Sequence, residues 1–224
     1  MMSAYVTEND LALLPRYDRL PRCEFDTIHF CAMKKLDPRI VRTRQALANS
    51  LITLAVERGY ESLTIKMVTE HAGIGNRTFY RHFLSLDDLL VQILKTAFER
   101  LKEWALEAET PHAAVRASYS FIRDHQELLR VFVSLPWEHP ARQVIRAEAA
   151  KIVHERYRWQ ETSNVPMGLS IDHILLATIN LVTWYLDHID DYTPEQMAVI
   201  HEVLVLNALE RQAIDLRDDW RQSR

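Results

Sequence analysis

A short segment of the sequence places four polar side chains on one side of a predicted helix. The helix runs from Asn76 to Phe83 and follows the tight turn Gly73-Ile74-Gly75. Phe79 and Phe83 are four residues apart, so they lie on one side of the helix and are predicted to face inward. The outer face then carries four polar side chains: Asn76, Arg77, Tyr80 and Arg81. Arg and Asn recognise guanine and adenine edges in the major groove, and Tyr binds phosphate.

The alternative interpretation of this helix is an ordinary solvated face, which is the commoner case for any single charged helix. That alternative does not account for the glycine turn or for the basic residues upstream. Residues 34–95 contain ten Lys and Arg and six Asp and Glu, a net charge of +4. The chain as a whole has a net charge of −4, so the remaining residues carry −8. A basic module attached to an acidic body favours nucleic-acid binding by the module.

Periodicity and capping signals predict the helices that hold this face. Apolar residues recur at helical spacing, and the predicted helices are Arg39–Arg58, Ile65–Ala72, Asn76–Phe83 and Asp87–Ala108. Gly59 is a natural residue to follow a helix, and Thr64 is a natural N-cap. Two short helices separated by a glycine-containing turn are typical of a helix-turn-helix.

The residues from Thr64 to Leu90, TIKMVTEHAGIGNRTFYRHFLSLDDLL, closely resemble the DNA-binding domain of the tetracycline-repressor (TetR) family of bacterial regulators. The resemblance extends back through DPRIVRTRQAL to Asp37 and covers about a quarter of the chain. Its most specific part is the hexapeptide TFYRHF, from Thr78 to Phe83. Beyond Leu101 only the layout of the helices is similar.

The resemblance implies a role for individual residues. The implied DNA-binding residues of the helix-turn-helix are Thr64, Asn76, Arg77, Thr78, Tyr80, Arg81 and His82. Asn76 and Arg77 would face base edges, with Thr78 close behind; Tyr80, His82 and Thr64 would contact phosphates. A basic arm ahead of and along the first helix comprises Lys34, Lys35, Arg39, Arg42 and Arg44. Its phosphate or minor-groove contacts would add affinity and salt dependence but little sequence information.

Two positions depart from the family pattern. Gly75 stands where the family usually has a Ser that caps the recognition helix, a change worth only a few tenths of a kcal/mol. Leu86 stands where a Lys often contacts phosphate. Both departures keep open a second interpretation, in which the chain retains the fold but acts as a co-regulator through a protein partner.

Composition and missing motifs exclude several classes of protein. Only 4 of the 224 residues are Gly, which favours helices over glycine-rich phosphate loops or many tight β-turns. Two cysteines cannot form a disulfide framework, so we expect a reducing compartment, the cytoplasm. No uninterrupted apolar run is long enough for a membrane span, and no signal peptide is predicted. HExxH, GxSxG and phosphate-loop motifs do not occur, so we predict neither an enzyme nor a bound cofactor.

Residues 1–32 lie outside the family pattern, and residues 1–36 are predicted to be a mobile N-terminal extension. Met33 would make a natural start, so residues 1–32 are either part of such an extension or an artefact of an upstream start site. Cys23, His29 and Cys31 are too irregularly spaced for a structural zinc site, and no metal is predicted.

The remainder of the chain is predicted to form five further helices, at Ala113–His125, Glu127–Leu135, Ala141–Gln160, Ile171–His188 and Pro194–Asp218. The last two are apolar on most faces, so they must be buried on most faces. We expect them to pack against a second copy, as they do in the resembled family; an internal core pair is the alternative. The predicted interface residues are Ile171, Leu175, Ile179, Val182, Ile200, Leu204 and Ala208.

A small apolar or aromatic effector is also implied by the resemblance. The residues predicted to contact it are Trp104, Tyr119, Phe121, His125, Phe132, Trp137, Met167 and Trp184, with Asn180 as a further polar candidate. Each of these, taken alone, is better explained as core.

The sequence therefore predicts an all-α protein with two domains. Residues 37–86 form a three-helix helix-turn-helix DNA-binding domain, and residues 87–224 form a helical effector-binding and dimerisation domain. The predicted function is a homodimeric regulator, in most cases a repressor, that a small molecule releases from a palindromic operator in double-stranded DNA. No contact with membranes is expected.

Overall fold

A computed structural model describes residues 37–159, 165–210 and 213–215, and these are helical almost throughout, as predicted. The helices are α1 (Pro38–Arg58), α2 (Ile65–His71), α3 (Asn76–Tyr80), α4 (Leu86–Glu107), α5 (Pro111–Asp124), α6 (Gln126–Ser134), α7 (Pro140–Arg156), α8 (Met167–Asp187), α9 (Pro194–His201) and α10 (Asn207–Glu210). A 3₁₀ turn, Tyr60–Ser62, follows α1, and a π-helical turn, Glu202–Leu206, joins α9 to α10.

Side-chain caps mark the starts of several helices, whereas α8 begins at Met167, four residues before the predicted Ile171. The Asp37 carboxylate accepts the Arg39 backbone N–H at 2.8 Å, and Thr64 Oγ1 accepts that of Met67 at 3.3 Å. Thr193 and Gln196 form a reciprocal capping box at the start of α9. Gly59 ends α1 with a φ of +80°, a backbone conformation that residues with a side chain seldom adopt.

Three predicted helix ends differ from the structure. The helix α3 stops at Tyr80 because its last turn tightens: the His82 N–H bonds to the Phe79 carbonyl, three residues back, at 2.8 Å. The helix α7 stops at Arg156, where the chain enters β1 (Tyr157–Trp159), which pairs antiparallel with β2 (Ala213–Asp215). The last predicted helix, drawn to Asp218, ends at Glu210 in the described residues.

One hydrophobic core runs from the helix-turn-helix into the helices that follow it. Its buried side chains include Leu47 and Leu51 of α1, Phe79 of α3, and Leu128 and Phe132 of α6. The predicted domain boundary at residues 86/87 lies at the start of α4, whose Leu90 and Ile93 belong to the same core. A displacement of α6 would therefore press directly on α1.

A second core joins α5, α8 and α9 around Tyr119, Tyr185 and Met197. His201 is buried at its edge, with Nδ1 3.2 Å from the Tyr119 hydroxyl. Burial lowers the pKa of His201 to about 4, because the charged imidazolium would lose its water. His201 is therefore neutral at pH 7.

This burial predicts acid sensitivity. Unfolded His titrates near 6.5, so between that pH and about 4 the unfolded chain binds a proton that the folded chain does not. The stabilisation is complete above 6.5 and is lost as the pH falls. Between pH 7.5 and 5 it accounts for about 2 kcal/mol of the free energy of unfolding, which urea titrations of the wild type and His201→Gln would measure.

His201→Gln is expected to remove this contribution and to leave that of His125, whose pKa burial also lowers to about 4. Replacing the exposed His154 by Gln should preserve the full pH dependence. An equal pH dependence in the wild type and His201→Gln would contradict the assignment.

Candidate nucleic-acid interface

The turn between α2 and α3 and two buried phenylalanines set the orientation of α3. Gly73 has a φ of +65°, and the next residue, Ile74, donates its N–H to the Thr69 carbonyl at 2.9 Å. Phe79 and Phe83 are fully buried against α1 and α4, as their spacing predicts. Because α3 has only five residues, this packing rather than its own hydrogen bonds holds it in place.

The opposite side of α3 is exposed. Asn76, Arg77, Tyr80 and Arg81 all lie at the surface, and Tyr80 is 59% exposed despite its aromatic ring. Thr78 is half-buried. These side chains supply hydrogen-bond donors and acceptors on one short helix face, which is what contact with base edges in a major groove requires.

One residue that contacts this face was missed in the sequence. Thr69 of α2 is 1% exposed, and its hydroxyl donates to Oδ1 of Asn76 at 2.6 Å. The same hydroxyl lies 3.0 Å from the Lys66 carbonyl. The sequence gives no signal for this role of Thr69. Its position in α2 predicts an interior residue, and nothing in the local pattern connects it to Asn76, seven positions later.

The predicted phosphate-contacting residues fall into two groups. Arg39 and Arg42 are exposed along α1, and Thr64 is exposed at the start of α2. Arg44 is half-buried instead, with its guanidinium 5.3 Å from the centre of the Phe83 ring. Lys34 and Lys35 lie outside the described residues.

His82 is half-buried in the turn that follows α3. Its pKa is lowered by burial, and further by the positive charges of Arg44 and Arg81. Neutral imidazole still has one N–H, so His82 retains the ability to donate to a phosphate oxygen. The role implied by the resemblance does not require it to be charged.

The structure shows the surroundings of the two residues that depart from the family pattern. Gly75 is the N-cap of α3 and, having no side chain, cannot cap the helix. Leu86 opens α4 and packs against the first core, where an apolar side chain is suited and a lysine is not.

Three side chains connect the helix-turn-helix to the rest of the chain. The hydroxyl of Tyr60, in the turn after α1, donates to Oδ1 of Asp87 at 2.5 Å. Nε2 of His139 lies 3.2 Å from the same oxygen. His139 Nδ1 accepts the Ala141 N–H, so Nε2 carries the ring proton and donates to Asp87. Burial, followed by the hydrogen bond to Asp87, raises the pKa of Tyr60.

The predicted effector residues are divided between the two cores and the surface of the single chain. Trp104, Phe121 and His125 form one group, with the Phe121 and His125 ring centres 4.1 Å apart. Burial and the charge of Arg100 lower the pKa of His125 to about 4. Tyr119 instead belongs to the second core.

Of the other effector candidates, Phe132 belongs to the first core with Phe121 and Trp104, and the rest lie nearer the surface. Phe132 and Trp137 flank the guanidinium of Arg142, and Trp184 stacks on His188 at the surface. Met167 is half-buried at the first turn of α8, and Asn180 is exposed on that helix.

The residues predicted to form the dimer interface differ in how far they are exposed in the single chain. Ile171 and Val182 are buried inside the single chain, at 5% and 8% exposure, so their side chains are not on its surface. Leu175, Ile179 and Ile200 are half-buried, whereas Leu204 and Ala208 are exposed. The hydrophobic pattern did not separate these groups, because a helix that packs on two sides has apolar residues on both.

An exposed stripe runs along α8 and continues on the last helical segment. It comprises Leu169, His173, Leu176, Asn180, Thr183, Trp184, Val203, Leu204 and Ala208. By length and composition α8 is the one described helix apolar enough to cross a membrane, a property that buried helices of water-soluble proteins share. Within the described residues, no group of three His, Cys, Asp or Glu side chains is placed to hold a metal ion.

Comparison with known proteins gives one family and a set of similar folds. Residues 51–93 match the family described as bacterial regulatory proteins, tetR family. The HTH-type transcriptional regulator YxbF of Bacillus subtilis strain 168 is 30% identical over 80 residues, which are 35% of this chain and 21% of that protein. The alignment thus spans about a fifth of the relative's length.

Solved structures are similar over most of their length. A TetR transcriptional regulator from Streptococcus agalactiae 2603V aligns with a TM-score of 0.59 and 22% identity, covering 78% of this chain and 98% of that one. FadR from Bacillus subtilis, solved in complex with stearoyl-CoA, aligns with a TM-score of 0.51 and 15% identity, covering 70% and 93%. At these identities the likeness establishes the fold.

Proposed function

Because the chain belongs to the tetR family of bacterial regulatory proteins, we propose that it is a cytoplasmic transcriptional regulator that binds a palindromic operator as a homodimer. One observation carries this proposal: the exposed face of α3, with Asn76, Arg77, Tyr80 and Arg81, lies opposite the buried Phe79 and Phe83, which anchor the helix in the core. A helix anchored in this way presents Arg and Asn outward, where they can reach base edges.

In the proposed complex, α3 of each subunit enters a major groove. Two such helices related by a two-fold axis contact half-sites about 34–36 Å apart. Arg39, Arg42 and the exposed Thr64 contact phosphates, with Thr64 donating its hydroxyl proton while its oxygen caps α2.

The exposed stripe on α8 supports dimerisation. Large apolar side chains such as Leu169, Leu176 and Leu204 are about half exposed or more in the single chain, although burial of apolar surface is favourable. A second copy placed across a two-fold axis covers the stripe with the same stripe. Such a dimer also positions the two copies of α3 for a palindrome.

We further propose that a small apolar or aromatic effector releases the protein from DNA, as in a repressor. One neighbour of the same fold was solved with stearoyl-CoA, and we extend from it only the apolar character of the ligand. Movement of the effector domain would reach α1 through α6, and α4 through the contact of Asp87 with Tyr60 and His139. A coupling of about 1–3 kcal/mol is typical for such linkage.

Selection from a random pool of double-stranded DNA, with the full chain and two salt concentrations, tests the proposal. A palindrome whose binding weakens steeply with salt would establish a sequence-specific dimer. The uncapped Gly75 and the core-packed Leu86 favour the co-regulator as the competing candidate. If the folded dimer enriches no sequence, the co-regulator acting through a protein partner replaces our proposal.

The basic arm gives a separate prediction. Arg42→Ala is expected to weaken binding to all DNA sequences alike, because a phosphate contact carries no base information. It should also reduce the slope of log K against log salt by about one per subunit. Titrations of selected and scrambled duplexes at several salt concentrations measure both effects. A loss confined to the selected duplex would show that Arg42 reads bases instead.

A further inference from the structure

The contact between Thr69 and Asn76 is an unusual arrangement for an exposed DNA-reading residue. Asn76 lies at the surface on the first turn of α3, yet its carbonyl oxygen points back into the protein. There it accepts a hydrogen bond from a threonine hydroxyl that is almost completely buried. At 2.6 Å the O–H···O distance is slightly shorter than the usual 2.7–2.8 Å.

The contact determines which end of the carboxamide faces outward. The hydroxyl of Thr69 has one proton, and Asn76 Oδ1 is nearer to it than the Lys66 carbonyl, at 2.6 against 3.0 Å. With Oδ1 facing Thr69, the amide group of Asn76 presents its two N–H donors to solvent. An Asn that recognises adenine uses its oxygen and its nitrogen together, whereas guanine presents two acceptors, N7 and O6.

We propose that Thr69 is a positioning residue that sets the base preference of Asn76. By holding the carboxamide with its N–H groups outward, Thr69 makes Asn76 select the two acceptors of guanine over the mixed edge of adenine. It also reduces the entropy cost of ordering this side chain on DNA, since the orientation exists before binding. The inference rests on the proposed function, because it concerns how the same helix face reads DNA.

Substitutions at both positions test the proposal with the full chain. Asn76→Ala identifies the base pair that Asn76 reads, as the one whose preference disappears. Thr69→Val keeps the shape of threonine but removes the hydroxyl, and is expected to reduce the preference at that same base pair by about 3- to 10-fold, the value of one hydrogen bond. Thr69→Ser keeps the hydroxyl and should retain the preference.

The effect must be confined to one base pair. Thr69→Val should leave the preferences at the other positions unchanged, and it should have no further effect when Asn76→Ala is already present. A uniform loss of affinity at all positions would mean that Thr69 only stabilises the fold. An adenine at the Asn76 position, or a full guanine preference in Thr69→Val, would also overturn the proposal.

A further variant and a measurement on the free protein keep the test decisive. Thr69→Ala also removes the hydroxyl and has a higher helix propensity than valine, so it serves where the melting temperature shows that Thr69→Val is unfolded, and the same result is expected. NMR relaxation of the Asn76 side-chain amide in the free protein tests the contact without DNA. The amide should be rigid in the wild type and mobile in Thr69→Val. If the Asn76 amide is rigid in the wild type but the protein selects no DNA sequence, only the proposed function is contradicted. If the amide is already mobile in the wild type, the role of Thr69 is contradicted.

Discussion

Replacing Arg77 by alanine is expected to cost about 1–3 kcal/mol of binding free energy on the selected operator, and to relax the sequence preference at one base pair. Arg77 is exposed near the start of α3, beside Asn76. Its guanidinium can donate two parallel hydrogen bonds to O6 and N7 of guanine, and alanine removes both while keeping the helix. Competition binding with all four base pairs at each half-site position measures the effect.

The control for Arg77→Ala is Arg42→Ala, which removes the same charge from α1 instead of α3. Both variants lose one positive charge per subunit, so the nonspecific electrostatic loss should be similar. Only Arg77→Ala should change the ranking of sequences. If it weakens selected and scrambled duplexes by the same factor, then Arg77 contacts phosphate and the assignment as a base reader is wrong.

Replacing Leu176 by glutamate is expected to convert the dimer into a monomer. Leu176 lies in the exposed stripe on α8 and is 49% exposed in the single chain, where glutamate is tolerated. In a two-fold dimer the substitution places a charge from each subunit in an apolar contact, and burying unpaired charges is strongly unfavourable. Sedimentation or light scattering measures the mass, and operator titrations measure the consequence.

The operator affinity should fall with the dimer, because two linked half-site contacts can exceed single contacts by about 10²–10⁴-fold. Val56→Glu is a matched control: Val56 lies on α1 and is 48% exposed, so the exposure and the introduced charge match those of Leu176→Glu. Val56→Glu should remain dimeric. A dimeric Leu176→Glu would place the interface elsewhere on the molecule.

The helices and their starts could be predicted from the sequence because these features depend on residues within one or two turns. The four-residue spacing of Phe79 and Phe83 is enough to place them inward, and an N-cap such as Thr64 acts on a backbone N–H three residues away. The exposed face of α3 follows from the same periodicity. The family resemblance added roles to these residues, and those roles are what the binding experiments test.

The sequence did not predict which face of α8 packs against the rest of the chain. Its apolar residues occur on several faces, and the sequence does not state which face meets the chain's own core. In the structure Ile171 and Val182 turn inward, whereas Leu169 and Leu176 remain outside. For Val182 the choice depends on α5 and α9, which pack against one side of α8 in the second core.

The residues that connect and orient the proposed DNA-binding surface are brought together only by folding. Asp87 bonds to Tyr60, 27 positions earlier, and lies against His139, 52 positions later, while a buried Thr69 orients Asn76. Periodicity and capping act over a few residues, so they predict which side chains a helix exposes. They do not predict which distant side chain will bond to Asp87 or to Asn76, because that depends on how the packed helices lie against one another.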